Sequence, residues 1–138
     1  MNTCGARRDE RGQSVSIFVV LVMAAMIMTA GLVIDGGQKI SATSRAEAAA
    51  AGAVRVAGNA AATQALGGSD LAGSAVIAAK TYLAGQSGVS GSVTVSAGVV
   101  TVRTQSSAPT LFLSIIGIDS LSADGIAQAN IVATGEVR

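Results

Sequence analysis

Histidine and tryptophan are absent from the 138-residue sequence, and cysteine, proline and tyrosine occur once each. Without histidine, the serine–histidine–carboxylate arrangement of acyl transfer cannot be built. The lone Cys4 precedes the longest apolar run, so it supports neither a disulfide framework nor a zinc site. It also stands on the wrong side of that run for a lipid-modified cysteine. Aromatic residues make up 2% of the chain, and nine basic residues face eight acidic ones with no basic stripe. Nucleic acid, which needs a positive surface and stacking platforms, is therefore not an expected partner. Outside the membrane, the candidates for paired carboxylates in glycoside cleavage are Asp70, Asp119, Asp124 and Glu136. Asp70 reads better as a helix cap and Asp119 as a turn residue. Two aspartates fall short of a calcium site, and the Gly36-Gly37 and Gly67-Gly68-Ser69 stretches lack the lysine of a phosphate loop. The expectation is a protein that is not an enzyme. It has no catalytic residue, cofactor site, metal site or small-molecule substrate.

What is abundant is apolar and small: half the chain is hydrophobic, supplied mainly by alanine and valine. From Gln13 to Ile34, QSVSIFVVLVMAAMIMTAGLVI, no charge interrupts 22 positions. About 20 such residues span the ~30 Å hydrocarbon core of a bilayer as a helix. A signal peptide has a shorter apolar region, of about 7–15 residues, followed by a small-residue cleavage site. Neither feature fits, and Asp9-Glu10-Arg11 after Arg7-Arg8 does not fit a twin-arginine signal. The run is read as a retained anchor, with membrane lipid as a partner. Arg7, Arg8 and Arg11 before it place the N-terminus in the cytoplasm by the positive-inside rule. The expected organisation is a cytoplasmic head (1–12), a transmembrane helix (13–34) and an extracytoplasmic α+β domain (35–138). Roughly 100 residues beyond the span make a domain that buries a low share of its surface, which argues for support from partners.

Beyond Gly36-Gly37, the alanine-rich stretch to Leu66 has high helix propensity. If it continues the span, the rod is about 80 Å long, with a possible bend at the glycine pair. Ile40, Ser44, Glu47, Ala51, Val54 and Gly58 share one weakly apolar face, and close packing through alanine is expected. Small residues let helices approach closely in lipid. Ala24, Gly31, Ala50 and Ala57 are therefore candidate positions for packing against a partner helix. Gly67-Gly68 ends the rod, and Ser69 or Asp70 caps a second helix. Leu71, Ala75, Ala78 and Tyr82 line that helix, with Ile77 and Leu83 beside them. Tyr82 is expected in the core with its hydroxyl at the edge. The period then changes to two: a turn at Ala97-Gly98 pairs Val95 with Val100 and Val93 with Val102. That places the four valines on one face and Ser92, Thr94, Thr101 and Arg103 on the other.

Pro109 is expected to open a short helix capped by Ser107. Its Leu111, Phe112, Leu113, Ile115 and Ile116 form the main bulky apolar cluster outside the span. The cluster either plugs the core beneath the sheet, the first expectation, or forms a contact patch through Leu111, Phe112 and Ile115. A third strand follows, with Leu121, Ala123, Ala127, Ala129, Ile131 and Ala133 facing one way. Ser122, Asp124, Gln128, Asn130 and Thr134 face the other. The fold class is thus α+β: a long N-terminal helix, a second helix and a small antiparallel three-stranded sheet.

This order of elements resembles the TadE/TadG-like proteins of the tight-adherence (Flp) pilus, in particular actinobacterial ones. The likeness covers roughly residues 10–60. It rests on Arg11-Gly12, the apolar run, Asp35-Gly36-Gly37 and Arg45-Ala46-Glu47-Ala48-Ala49, with a similar tail around PTLFLSIIGIDSL. The resemblance implies a pilin-like fold and a place among pilus or secretion-apparatus subunits. Processed members carry a glutamate five residues after a glycine. Here Ile17 follows Gly12 at that distance, so an uncleaved anchor is expected. The alternative is an anchored envelope binding module unrelated to pili.

Overall fold

The computed structural model describes residues 11–65, 67 and 70–131, with side chains from residue 15 onward. The basic head with Cys4, the junction residues Leu66, Gly68 and Ser69, and the tail with Ala133 and Thr134 lie outside the described residues. The fold is α+β, in the order α1 (Arg11–Ala65), α2 (Leu71–Ala84), β1 (Val89–Ser96), β2 (Val99–Pro109) and β3 (Ser120–Asn130). The strands form one antiparallel sheet in the order β1-β2-β3.

The helix α1 runs unbroken for 55 residues, through Gly36-Gly37, a length of about 80 Å. Each glycine in a helix costs about 1 kcal/mol relative to alanine. The surrounding alanines outweigh that, and one helix joins two unlike halves. In the first half nearly every large apolar side chain is exposed, Phe18, Leu21 and Met26 among them. This helix is long and apolar enough to cross a membrane. The second half is the spine of the small domain and touches α2 and all three strands.

The spine packs through alanine. Ala42, Ala46, Ala49, Ala50, Ala53, Ala57 and Ala61 are buried along one side of the helix, at three- and four-residue spacings apart from the adjacent pair Ala49-Ala50. Of the face that runs through Ile40, only Val54 is buried, at its margin: Ile40 is 71% exposed, and the buried stripe lies on the Ala42–Ala46 side. Alanine so dominates the segment that its sequence offers little amphipathic contrast. The smooth surface brings the sheet in close. A Cβ on Gly125 of β3 would lie 2.5 Å from the carbonyl carbon of Ala46, so only glycine fits there. Beside it, the Thr104 hydroxyl donates to the Ala46 carbonyl at 2.7 Å. On the other flank, a Cβ on Gly52 would lie 2.3 Å from the Tyr82 hydroxyl oxygen, so the ring of Tyr82 covers bare helix backbone.

Asp70 caps α2 by accepting from the Gly73 amide at 3.1 Å. Ala75, Ala79 and Leu83 are the buried residues of α2, and Ile77 is exposed. The expected face is thus rotated slightly toward Ala79. The hairpin register is the expected one, Val93 against Val102 and Val95 against Val100. Val100 and Val102 are fully buried, with Val93 and Val95 packed at the edge of the same cluster. In β3, Ala123 and Gly125 are buried and Leu121, Ala127, Ala129 and Ile131 half-buried, matching the expected alternation.

At the hairpin turn, both Ala97 (φ 49°) and Gly98 (φ 74°) adopt positive φ, as a type I′ turn requires. Alanine pays roughly 1–2 kcal/mol in that region, whereas asparagine is better tolerated. Ala97→Asn should therefore stabilise the domain by about 1 kcal/mol. Urea unfolding of the full chain in micelles, followed by far-UV circular dichroism, measures this. An unchanged or lower midpoint would contradict the turn geometry.

Candidate functional site

The most unusual side chain of the fold lies where the two halves of α1 meet. Asp35 follows the last residue of the apolar run, on the same side of the helix as Gly31 and the alanine stripe. It is 1% exposed. An isolated buried carboxylate is costly, so its partners matter. They come from the ten-residue loop 110–119 that joins β2 to β3. The amides of Leu111 (2.8 Å), Phe112 (3.0 Å) and Leu113 (2.8 Å) all donate to the Asp35 carboxylate.

Those amides lead into a single 3-10 turn, Leu113–Ile116, whose own N-terminal residue offers no side-chain cap. Asp35 therefore performs the capping from another element. This corrects the sequence reading in two respects. Ser107 is a strand residue rather than a cap, and Pro109 ends β2 rather than opening a helix. The physical reason is pairing: β2 stays bonded to β3 as far as Pro109 and Ser120, so the chain is free to turn only beyond that point.

Burial acts first on the Asp35 carboxyl and pushes its pKa upward. The three backbone hydrogen bonds more than offset this, and the pKa is held below the ordinary carboxylate value. Burial is the largest single influence, and it takes all three amides together to outweigh it.

The loop is also closed upon itself. The Thr110 amide donates to the Asp119 carbonyl at 3.0 Å, and the Thr110 hydroxyl donates to the Ile118 carbonyl. At the tip, the Gly117 and Ile118 amides donate to Ser114 (3.1 Å) and Leu113 (3.0 Å) carbonyls. Gly117 adopts φ 88°, the left-handed conformation that ends a helical turn. Lys39, one turn beyond Asp35, donates to the Ser122 carbonyl at the base of β3.

This geometry determines where the bulky cluster goes. Phe112 lies on Gly31, where a Cβ would come within 2.4 Å of the ring. Ile115 is 80% and Ile116 75% exposed, and Leu111 is exposed as well. The cluster is therefore not a plug beneath the sheet. It projects past the end of the domain, alongside the apolar half of α1. Ile27, Met28 and Leu32 of α1 and Phe112, Leu113, Ile115 and Ile116 of the loop enclose an apolar groove of about 630 Å³.

The candidate packing positions fall out differently. Ala50 and Ala57 are wholly buried in the domain core and Gly31 lies under Phe112, so all three are occupied by the protein's own chain. Only Ala24 keeps a partly exposed surface. Bulk at Ala50 or Ala57 would overpack the core, at roughly 1–3 kcal/mol, before it met any partner. Asp119 supplies a backbone acceptor, and Asp124 sits on the exposed sheet face beside Gln105. Among the described residues no three metal-binding side chains come together. Comparison with protein-family models, curated proteins and solved structures returns no match.

Because the folded pKa of Asp35 lies below the unfolded one, the ionised form stabilises the docked loop. That contribution is complete above about pH 4, the ordinary aspartate range. It is lost as pH falls through the lower folded value. Amide exchange at Leu111–Leu113, corrected for intrinsic rates, should be flat near neutrality and rise in acid. Asp35→Asn should exchange roughly tenfold faster at neutral pH and lose the acid transition. Wild-type protection that persists unchanged through the acid range would refute the clamp.

Proposed function

We propose that the protein is a membrane-anchored, minor pilin-like or assembly component of a tight-adherence (Flp) pilus or a related secretion apparatus. Its N-terminus is cytoplasmic, its anchor is single-pass, and its α+β domain is displayed on the extracytoplasmic side. The observation that carries this reading is the two-part helix α1. One half is bare and apolar, and the other is the spine of a small antiparallel sheet. The likeness of Arg11-Gly12, Asp35-Gly36-Gly37 and the Arg45–Ala49 run to TadE/TadG-like proteins supports the same reading.

The mode of action follows from what surface remains. The alanine stripe is consumed internally, and the loop covers the Gly31 side of α1. Beside the loop, the side left for a partner helix is the opposite one. At about 100° per residue, Val19, Val22, Met26 and Val33 line that side, and all four are exposed. In lipid such faces associate by close packing. The protein then works by occupying a place in an assembly, with its domain carried rigidly on the helix, and turns over no substrate.

Photo-crosslinkers installed singly at Val19, Val22, Met26 and Val33, in cells that make Flp pili, test this. Crosslinks to pilus-assembly subunits from these positions, together with loss of surface pili on gene deletion, are the expected outcome. Normal piliation and secretion after deletion would overturn the reading.

A further inference from the structure

We propose that loop 110–119 is a second membrane contact. Its Leu111, Ile115 and Ile116 enter the bilayer leaflet at the C-terminal end of the span, and the groove beside Ile27, Met28 and Leu32 receives a lipid acyl chain. The inference rests on the apolar half of α1 lying in the bilayer and goes beyond it, since a single span requires no further element in lipid.

Three observations converge on this occupant. The first is depth. The α1 wall of the groove runs from Leu32 down to Ile27, and Ile27 lies eight residues, roughly 12 Å, below Asp35 along the helix. The hydrocarbon core is ~30 Å thick, so the loop tip lies within the half nearest the domain. One wall of the groove is the span itself, and whatever solvates the span solvates the groove. The second is composition. Between Arg103 and Asp119 the chain carries no charge, and the loop turns Ile115 and Ile116 almost fully outward. A soluble loop with these residues at its tip would expose an apolar patch to water for no return.

The third observation is the backbone, and it separates this loop from an ordinary surface turn. In lipid an unsatisfied amide or carbonyl costs several kcal/mol, so irregular backbone enters only when its polar groups are paired. Here the amides of Leu111, Phe112 and Leu113 are taken by Asp35. Those of Thr110, Ile115, Gly117 and Ile118 are taken by carbonyls of the loop itself. The Ser114 hydroxyl donates to the Leu111 carbonyl at 2.8 Å. The clamp is thus also what makes the loop compatible with lipid: it removes three donors at once and places the carboxylate at the interface under cover.

The test uses the full-length chain with Cys4→Ser, in lipid nanodiscs that hold one protein each. An environment-sensitive fluorophore is attached in turn to Ile115→Cys and Ile116→Cys. Phe18→Cys serves as the reporter within the span, and Thr94→Cys as the reporter on the polar face of the sheet. Lipids brominated in the upper part of the acyl chain act as the quencher. Blue-shifted emission at 115 and 116, quenched as strongly as the span reporter or more so while Thr94→Cys is unaffected, is the expected result. Emission at 115 and 116 that matches Thr94→Cys while Phe18→Cys is quenched would overturn the loop insertion and leave the span intact. Blue-shifted emission that bromine does not quench, or that arises only with several copies per disc, would mean that protein covers the groove. That also overturns the proposal. Loss of quenching at Phe18→Cys as well would remove the span on which both readings stand.

Discussion

Everything in this protein is hung on one side of one helix. From Gly31 through Asp35 to Ala42, Ala46, Ala53 and Ala61, α1 presents glycine, one carboxylate and alanine, and each is covered by another part of the chain. The constraint is spatial: a face without side-chain bulk lets the backbone of a neighbour come into contact. Gly125 against Ala46 and Tyr82 over Gly52 are two such contacts, and Phe112 over Gly31 is the third. A chain with so few aromatic residues cannot build a thick core, so it gains its packing from closeness rather than from volume. Dispersion between backbones at contact distance is small per atom pair but large in sum.

Asp35 is the one polar member of that line, and it marks the change of environment. Above it the stripe holds the sheet; below it the same side of the helix holds the loop. A hydrophobic residue at this point would fill the space but leave the amides of Leu111, Phe112 and Leu113 without partners. A carboxylate satisfies all three with two oxygens. Bonds to an ionised acceptor are stronger than neutral ones, which suits a junction that must hold an apolar loop in a fixed place. The consequence for function is rigidity. Because α1 is continuous through Gly36-Gly37, with the loop tied to it at Gly31 and Asp35 and β3 tied to it at Lys39, the domain sits at a set angle to the apolar half. In the proposed assembly role, that fixed geometry suits a part placed among other subunits.

Much of this was legible in the residues, and the reasons differ from element to element. The hairpin and β3 could be read because strand faces alternate with a period of two, and a one-residue slip would have exposed the valines. The cap at Asp70 is local, so three residues of sequence suffice to see it. The buried face of α1 was misread because alanine at nearly every position erases the contrast that periodicity needs. For the loop, the first expectation, a plug beneath the sheet, fails and the exposed alternative remains, because bulky apolar residues look alike in sequence whether they fill a core or lie outside it. Two signals did point outward: the uncharged stretch ahead of Asp119, and an aspartate directly after the apolar run. The clamp itself left no local trace. Its partners are backbone amides 76 or more residues away, and an amide has no side-chain signature.

The central claim is that Asp35 holds the loop against the apolar half of α1. The most direct measurement is a pulsed electron paramagnetic resonance distance between spin labels at Val20→Cys and Ile116→Cys, in the Cys4→Ser chain in lipid. The account predicts one narrow distance distribution, which broadens on adding Asp35→Ala while α1 stays helical. A broad distribution in the otherwise native chain, or a narrow one that survives Asp35→Ala unchanged, would contradict it.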